Sequence, residues 1–327
     1  MSFLFWLYGL GIFLAVCQDI KRREVDNWLN IFLLISGSAF IVFNSLNINF
    51  LELLFLSSIL IFSLYVYFGK FEVKNKFYAS LIIPLLLLFF LSLSSFIYFF
   101  TENTSSLLIL IFSISLFFLL SNFFYFGHFF AGGDAKLLFS MAPLFVALSI
   151  KTTILNSLVF LFLLMLAGSI YGLVYSFSLG IIHFKKIKKV FFKVSKEIKL
   201  KYFIFFSILS FLIGLVNFIF YFLGVFILLF SLLYVFAKSL EKVAMYHEVS
   251  ATSLREGDWL VNDLRIGKKL IRANFEGLTN KEIKLLRNYK RKVLIKGGLP
   301  FVPAFAIAFI FYVLFRDIFL FLFKIFL

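Results

Sequence analysis

Cysteine is almost missing from this chain: Cys17 is the single one in 327 residues. That excludes an intramolecular disulfide and any CxxC zinc site, and Cys17 itself is expected to be a small buried residue. Charge is scarce too, at 15% of residues, and acids are outnumbered by bases, 16 against 32. Soluble domains carry about a quarter charged residues, so a soluble fold is excluded. His247-Glu248 has no second histidine four residues on, which excludes an HExxH metalloprotease. The first hydrophobic stretch has neither a basic leading segment nor a small-residue cleavage site. It reads as a retained helix rather than a signal peptide.

What fills the chain instead is apolar: 63% hydrophobic and 21% aromatic residues, with 53 Phe. The fold class expected is an all-α polytopic membrane protein of about ten transmembrane helices with a small cytoplasmic α+β insert. A spanning helix needs about 20 mostly apolar residues. The stretches that qualify are 2–18, 28–44, 50–69, 77–100, 105–126, 137–150, 154–182, 202–217, 219–237 and 299–315. The sixth is short, and the eighth and ninth form a tight hairpin near Asn217.

The net charge of +16 invites a nucleic-acid reading, but in a multispan protein the positive-inside bias explains it, and no nucleic-acid partner is expected. With the N-terminus outside, the cytoplasmic loops hold Lys21, Arg22 and Arg23, then Lys70, Lys74 and Lys76, then Lys136, the Lys-rich stretch 185–201 and the segment 238–298. The outer loops Ser45–Asn49, Thr101–Ser105, Lys151–Thr153 and the turn at Asn217 carry only two charged residues, Lys151 and Glu102.

Three parts follow: a membrane domain over 1–237, a cytoplasmic α+β insert over 238–298, and a C-terminal transmembrane helix and tail over 299–327. Within the first, Phe184, Ile187, Phe191, Val194 and Ile198 recur at spacings of three and four, with lysines off the stripe. This predicts a basic amphipathic helix near 184–201 lying on an anionic lipid surface. In the insert, apolar alternation around Arg265-Ile266-Gly267-Lys268 predicts a β-hairpin, and Thr279 with Glu282 predicts a capping box.

Two carboxylates stand at membrane edges: Asp19 in Cys17-Gln18-Asp19-Ile20-Lys21-Arg22-Arg23, and Asp134 in Ala131-Gly132-Gly133-Asp134-Ala135-Lys136. Ionisable groups beside hydrocarbon are costly and mark function. Both follow odd-numbered spans, so both emerge on the cytoplasmic face. Two close carboxylates cannot both ionise, which yields a base to activate water and an acid to protonate a carbonyl. Gly132 and Gly133 supply bare backbone for close approach of a substrate strand, or simply a turn.

The stretch Asp19-Ile20-Lys21-Arg22-Arg23-Glu24-Val25-Asp26-Asn27-Trp28-Leu29 resembles the first aspartate motif of the type IV prepilin peptidases, and Ala131-Gly132-Gly133-Asp134-Ala135-Lys136-Leu137-Leu138 resembles their Gly-x-Gly-Asp-x-Lys motif. Arg255–Leu260, Gly277-Leu278-Thr279 and Gly298–Phe305 are similar to the C-terminal part of archaeal preflagellin and prepilin peptidases. The resemblance implies a GxGD-type membrane aspartyl protease with Asp19 and Asp134 as catalytic pair and Gly132, Gly133 and Lys136 as motif support. Two positions depart from the pattern: Ala131 replaces the first glycine, and Asp26 replaces the proline before Asn27.

The implied substrates are precursors of pilins or archaellins with short basic leaders, met at the cytoplasmic membrane face. Glu24 and Asp26 are candidate contacts for the leader's basic residues. No metal or organic cofactor is implied, and the missing cysteine site leaves no basis for methyltransferase activity. Two rivals remain: an intramembrane protease of the presenilin and signal-peptide-peptidase group, and a membrane transporter or scaffold without enzymatic activity. A transporter predicts charges near the bilayer centre, whereas the charges here gather at the inner edge.

Overall fold

The computed structural model describes residues 2–45, 50–68, 105–266, 269–274, 277–287 and 292–326. The span expected over 77–100, Lys70, Lys74, Lys76 and Glu102 lie outside them. The described chain is mostly helical, and five of its helices are long and apolar enough to cross a membrane. It divides into two compact units, Met1–Tyr171 with Pro300–Leu327, and Gly172–Leu299. The second unit thus takes in 172–237, which the sequence reading groups with the membrane domain, together with the insert.

The first unit contains α1 (Ser2–Arg22), α2 (Asn27–Phe43), α3 (Phe50–Phe68), α4 (Ser106–Phe126) and the short α5 (Gly132–Ser140). A 3₁₀ turn (Ala142–Phe145) follows, then α6 (Ile150–Ile182), in which the division between units falls. The last helix of the first unit, counted in chain order as α11, is Val302–Phe326.

The sixth expected span, 137–150, is not one helix: α5 ends at Ser140 and Pro143 sits in the 3₁₀ turn. Proline has no N–H and disfavours helical backbone in the residue before it, so the helix stops there. The interrupted backbone is tolerated because it is enclosed: Leu137 through Phe145 are all buried. Ser113 on α4 donates to the Ala142 carbonyl at 2.6 Å, and Phe117 stacks on Phe145 with centroids 4.8 Å apart.

Tyr8 ties three segments together. Its hydroxyl donates to the carbonyls of Leu33 and Ser140 at 3.0 and 3.1 Å, joining α1 to α2 and α5. Gly37 leaves room for that hydroxyl, which a Cβ there would strike. On α3, Glu52 accepts from Ser105, the residue that caps α4, at 2.7 Å. Cys17 is exposed rather than buried, because it lies off the inward face of α1.

The second unit contains α7 (Phe184–Glu197), α8 (Leu200–Gly214) and α9 (Ile219–Leu240). The hairpin of α8 and α9 turns where Asn217 Oδ1 accepts the N–H of Ile219 at 3.1 Å. Ser207 and Ser210 donate across it to the carbonyls of Gly224 and Phe220, each at 2.8 Å. These hydroxyl-to-carbonyl bonds, with Gly214 and Gly224 buried in the hairpin, tie the two helices together.

The insert follows a π-helical turn at Glu241–Met245. Strands β1 (Tyr246–Val249), β2 (Trp259–Leu260) and β5 (Val293–Lys296) form an antiparallel sheet in the order β1-β5-β2. The expected hairpin is the separate pair β3 (Leu264–Ile266) and β4 (Lys269–Ile271), with Arg265 opposite Leu270. Helix α10 (Asn280–Leu286) starts with the expected capping box of Thr279 and Glu282. Leu260, Ile271, Leu278, Leu286, Val293 and Ile295 belong to one core beneath these elements.

The glycines of two sequence motifs meet in this insert. Gly257 donates to the Leu278 carbonyl and Leu278 to that of Asp258, each at 2.9 Å. Gly277 has φ +78°, and a Cβ there would strike the backbone of Gly257. Gly277→Ala is expected to destabilise the insert by roughly 1–3 kcal/mol through strain and overpacking. Hydrogen exchange of the full-length protein reads this as lost protection in β2 and α10, and unchanged protection would contradict it.

Candidate active site

Asp19 is carried inward by the helical repeat. Leu4, Tyr8, Ile12, Ala15 and Asp19 follow one another at spacings of four and three along α1, and all are buried. The carboxylate is only 6% exposed. Its Oδ2 accepts the backbone N–H of Val302 at 3.0 Å. Val302 opens α11, so a carboxylate from one helix caps the start of another. The first N–H groups of a helix have no partner within it, and its dipole favours negative charge there. Phe5 on α1 packs against Phe309 and Tyr312 on α11, which holds the two helices at this spacing.

Asp134 reaches the same neighbourhood by a different route. After α4 the chain turns at His128, an exposed residue with φ 61°. The N–H groups of Phe129 and Phe130 both donate to the Phe124 carbonyl, at 2.9 and 3.1 Å. The Phe130 ring stacks on Phe124 at 4.8 Å and lies 5.4 and 5.9 Å from Phe301 and Phe305. An aromatic cluster thus joins the turn before α5 to the start of α11.

The first turn of α5 then presents Asp134 in position to accept from the backbone of Ala131, the residue that caps the helix. Burial first and the negative charge of Asp19 second push the Asp134 carboxyl up to about 7, against the lowering effect of the Ala131 hydrogen bond. The charge of Asp19 is felt at Asp134, so the two sequence motifs converge.

The remaining motif residues divide between support and surface. Lys136 donates to Asn27 Oδ1 at 2.9 Å, which bridges the second motif to the first. A Cβ on Gly132 would lie 3.7 Å from Tyr125, and one on Gly133 3.8 Å from the Val25 nitrogen, so neither glycine is demanded by crowding. Ala131 has φ −69° and ψ 163°, a backbone that alanine adopts without strain. The departure from glycine at this position therefore costs no backbone energy. Asp26 is engaged locally: it accepts from Trp28 Nε1 at 3.2 Å, lies 4.0 Å from Arg22, and its N–H donates to Gln18. Glu24 is exposed.

Sequence reasoning missed Val302 and the Asn27 to Lys136 link. The first leaves no signal, because it acts through its backbone N–H. Among the described residues no three His, Cys, Asp or Glu side chains converge as metal ligands. Chemically, the arrangement offers one carboxyl able to hold a proton near neutral pH beside a second carboxylate anchored by a backbone N–H. No family model, curated protein or solved structure matches the chain.

Proposed function

We propose that the protein is a membrane aspartyl endopeptidase of the prepilin and preflagellin peptidase type, cutting the short basic leader from pilin- or archaellin-like precursors. The observation that carries this reading is the convergence of Asp19 and Asp134 from distant parts of the chain. In this reading the chain crosses the membrane about ten times, with the N-terminus outside and the pair at the cytoplasmic edge. The basic cytoplasmic loops support that orientation.

The chemistry follows from the pair. Asp134 holds the shared proton, and Asp19 takes a proton from a water whose oxygen attacks the scissile carbonyl carbon. Asp134 protonates the carbonyl oxygen, giving a neutral tetrahedral intermediate. Collapse breaks the C–N bond, with the proton gained by Asp19 passing to the leaving amine and one hydroxyl proton returning to Asp134. The bare backbone of Gly132 and Gly133 leaves room for a substrate strand beside Asp134. Exposed Glu24 offers a carboxylate to the leader's basic residues, and Asp26 contributes charge at the same edge.

A pH dependence follows with a definite sign. Below about 7 Asp134 keeps its proton and the pair holds one negative charge. Above it both carboxyls ionise and the acid is lost. Cleavage rate at limiting substrate is expected to fall about tenfold per pH unit on the alkaline side. Rates measured from pH 5.5 to pH 9 on a leader-bearing precursor test this; a flat profile across neutrality would contradict it.

A further inference from the structure

Helix α7 carries its apolar stripe, but from Ile187 onward the stripe is already occupied. Val194 is buried with Leu200 and Val235, and Val190, Phe191 and Ile198 pack around them. The side expected to lie on lipid thus faces α8 and α9. Lys242 pairs with Glu197 on α7 at 2.9 Å.

A different face is left outward. Phe184, Lys188 and Phe192 follow one another at helical spacing, with Lys185 and Lys189 alongside, and these five line an open hollow of about 550 Å³. Phe184 and Phe192 are 63% and 58% exposed. Among the described residues no carboxylate pairs with Lys185, Lys188 or Lys189. Two bare rings flanking unpaired ammonium groups suit neither water alone nor hydrocarbon alone. They suit the boundary between them, where rings enter the acyl region and amines meet phosphate.

The packing puts α7 at such a boundary. It starts two residues after α6 ends and lies against the open end of the α8–α9 hairpin, next to Leu200 and Val235. Farther along that hairpin, Phe205, Phe206, Phe222, Phe226 and Phe230 are all exposed and require lipid.

We propose that Phe184, Lys185, Lys188, Lys189 and Phe192 form a binding site for the phosphate headgroup of an anionic lipid. The site rests on the membrane placement of α8 and α9 and is independent of the protease assignment. It shares Phe184 with the stripe suggested by the sequence but departs from it at Ile187 and Val194, which are buried.

The test uses the full chain in phosphatidylcholine bilayer discs containing spin-labelled phosphatidylglycerol or spin-labelled phosphatidylcholine. Preference for the anionic label is expected to be roughly fivefold or more. The triple variant K185Q/K188Q/K189Q should lose most of that preference. The variant K186Q/K193Q/K196Q, equal in charge but away from the hollow, should keep it. Equal loss in both variants would reduce the effect to net charge and overturn the site, as would no preference in the wild type. Displacement of the label by soluble glycerol phosphate would overturn the lipid assignment. A chain that fails to enter the discs would overturn the membrane placement itself, a result distinct from any failure of proteolysis.

Discussion

Replacing either Asp19 or Asp134 by asparagine is expected to lower cleavage of a leader-bearing precursor by about a thousandfold or more, equivalent to at least about 4 kcal/mol in the barrier. Asparagine keeps the shape of each side chain and can still accept a hydrogen bond, including the one from Val302 to position 19. The substitution therefore removes the exchangeable proton and spares the packing. At 134 asparagine also removes the group that burial holds protonated up to about 7. Insertion and thermal stability in detergent should be unchanged or improved, because a carboxyl beside another carboxyl is exchanged for a neutral amide. Full activity in either variant would remove that residue from the chemistry. Because the two act as a unit, the double variant should be no worse than the weaker single one.

The second large effect is expected from the start of α11. Val302→Pro removes the N–H that anchors Asp19 Oδ2 at 3.0 Å, yet proline is well accommodated in the first turn of a helix. Pro303 already occupies the next position, so the local backbone suits it. Cleavage is expected to fall tenfold to a hundredfold, with retained helix content and retained binding of the precursor. Val302→Ala keeps the N–H and serves as control: it loses buried side-chain contacts but should stay within about threefold of the wild type. If both variants behave alike, the anchor has no role beyond packing. A larger drop for proline than for alanine assigns the effect to the hydrogen bond.

Part of the helical arrangement is legible in the sequence because it follows from apolar run length. Runs such as 105–126 and 219–237 appear as α4 and α9 with shifts of a few residues at their ends. The run over 137–150 does not, since hydropathy is blind to the break that Pro143 imposes. The apolar stripe of α7 was visible as a period, but a period says only that one face is buried. Whether the cover is lipid or protein depends on what stands opposite, here Leu200 and Val235.

The two aspartates were legible because carboxylates are rare beside apolar runs. Their convergence was not, since it depends on Tyr8, on the aromatic cluster around Phe130, and on a backbone N–H that has no side-chain signature. Whether alanine suits position 131 was not legible either, since it depends on the backbone, which is extended there at φ −69° and ψ 163° rather than left-handed.

The most direct test of the central claim is to map the product termini formed when purified wild-type protein, reconstituted in membranes, meets a precursor with a short basic leader. The two-aspartate account predicts one cut at the junction of the leader and the hydrophobic segment, absent with Asp19→Asn and with Asp134→Asn. A cut within the hydrophobic segment, or the same product from either variant, would contradict it.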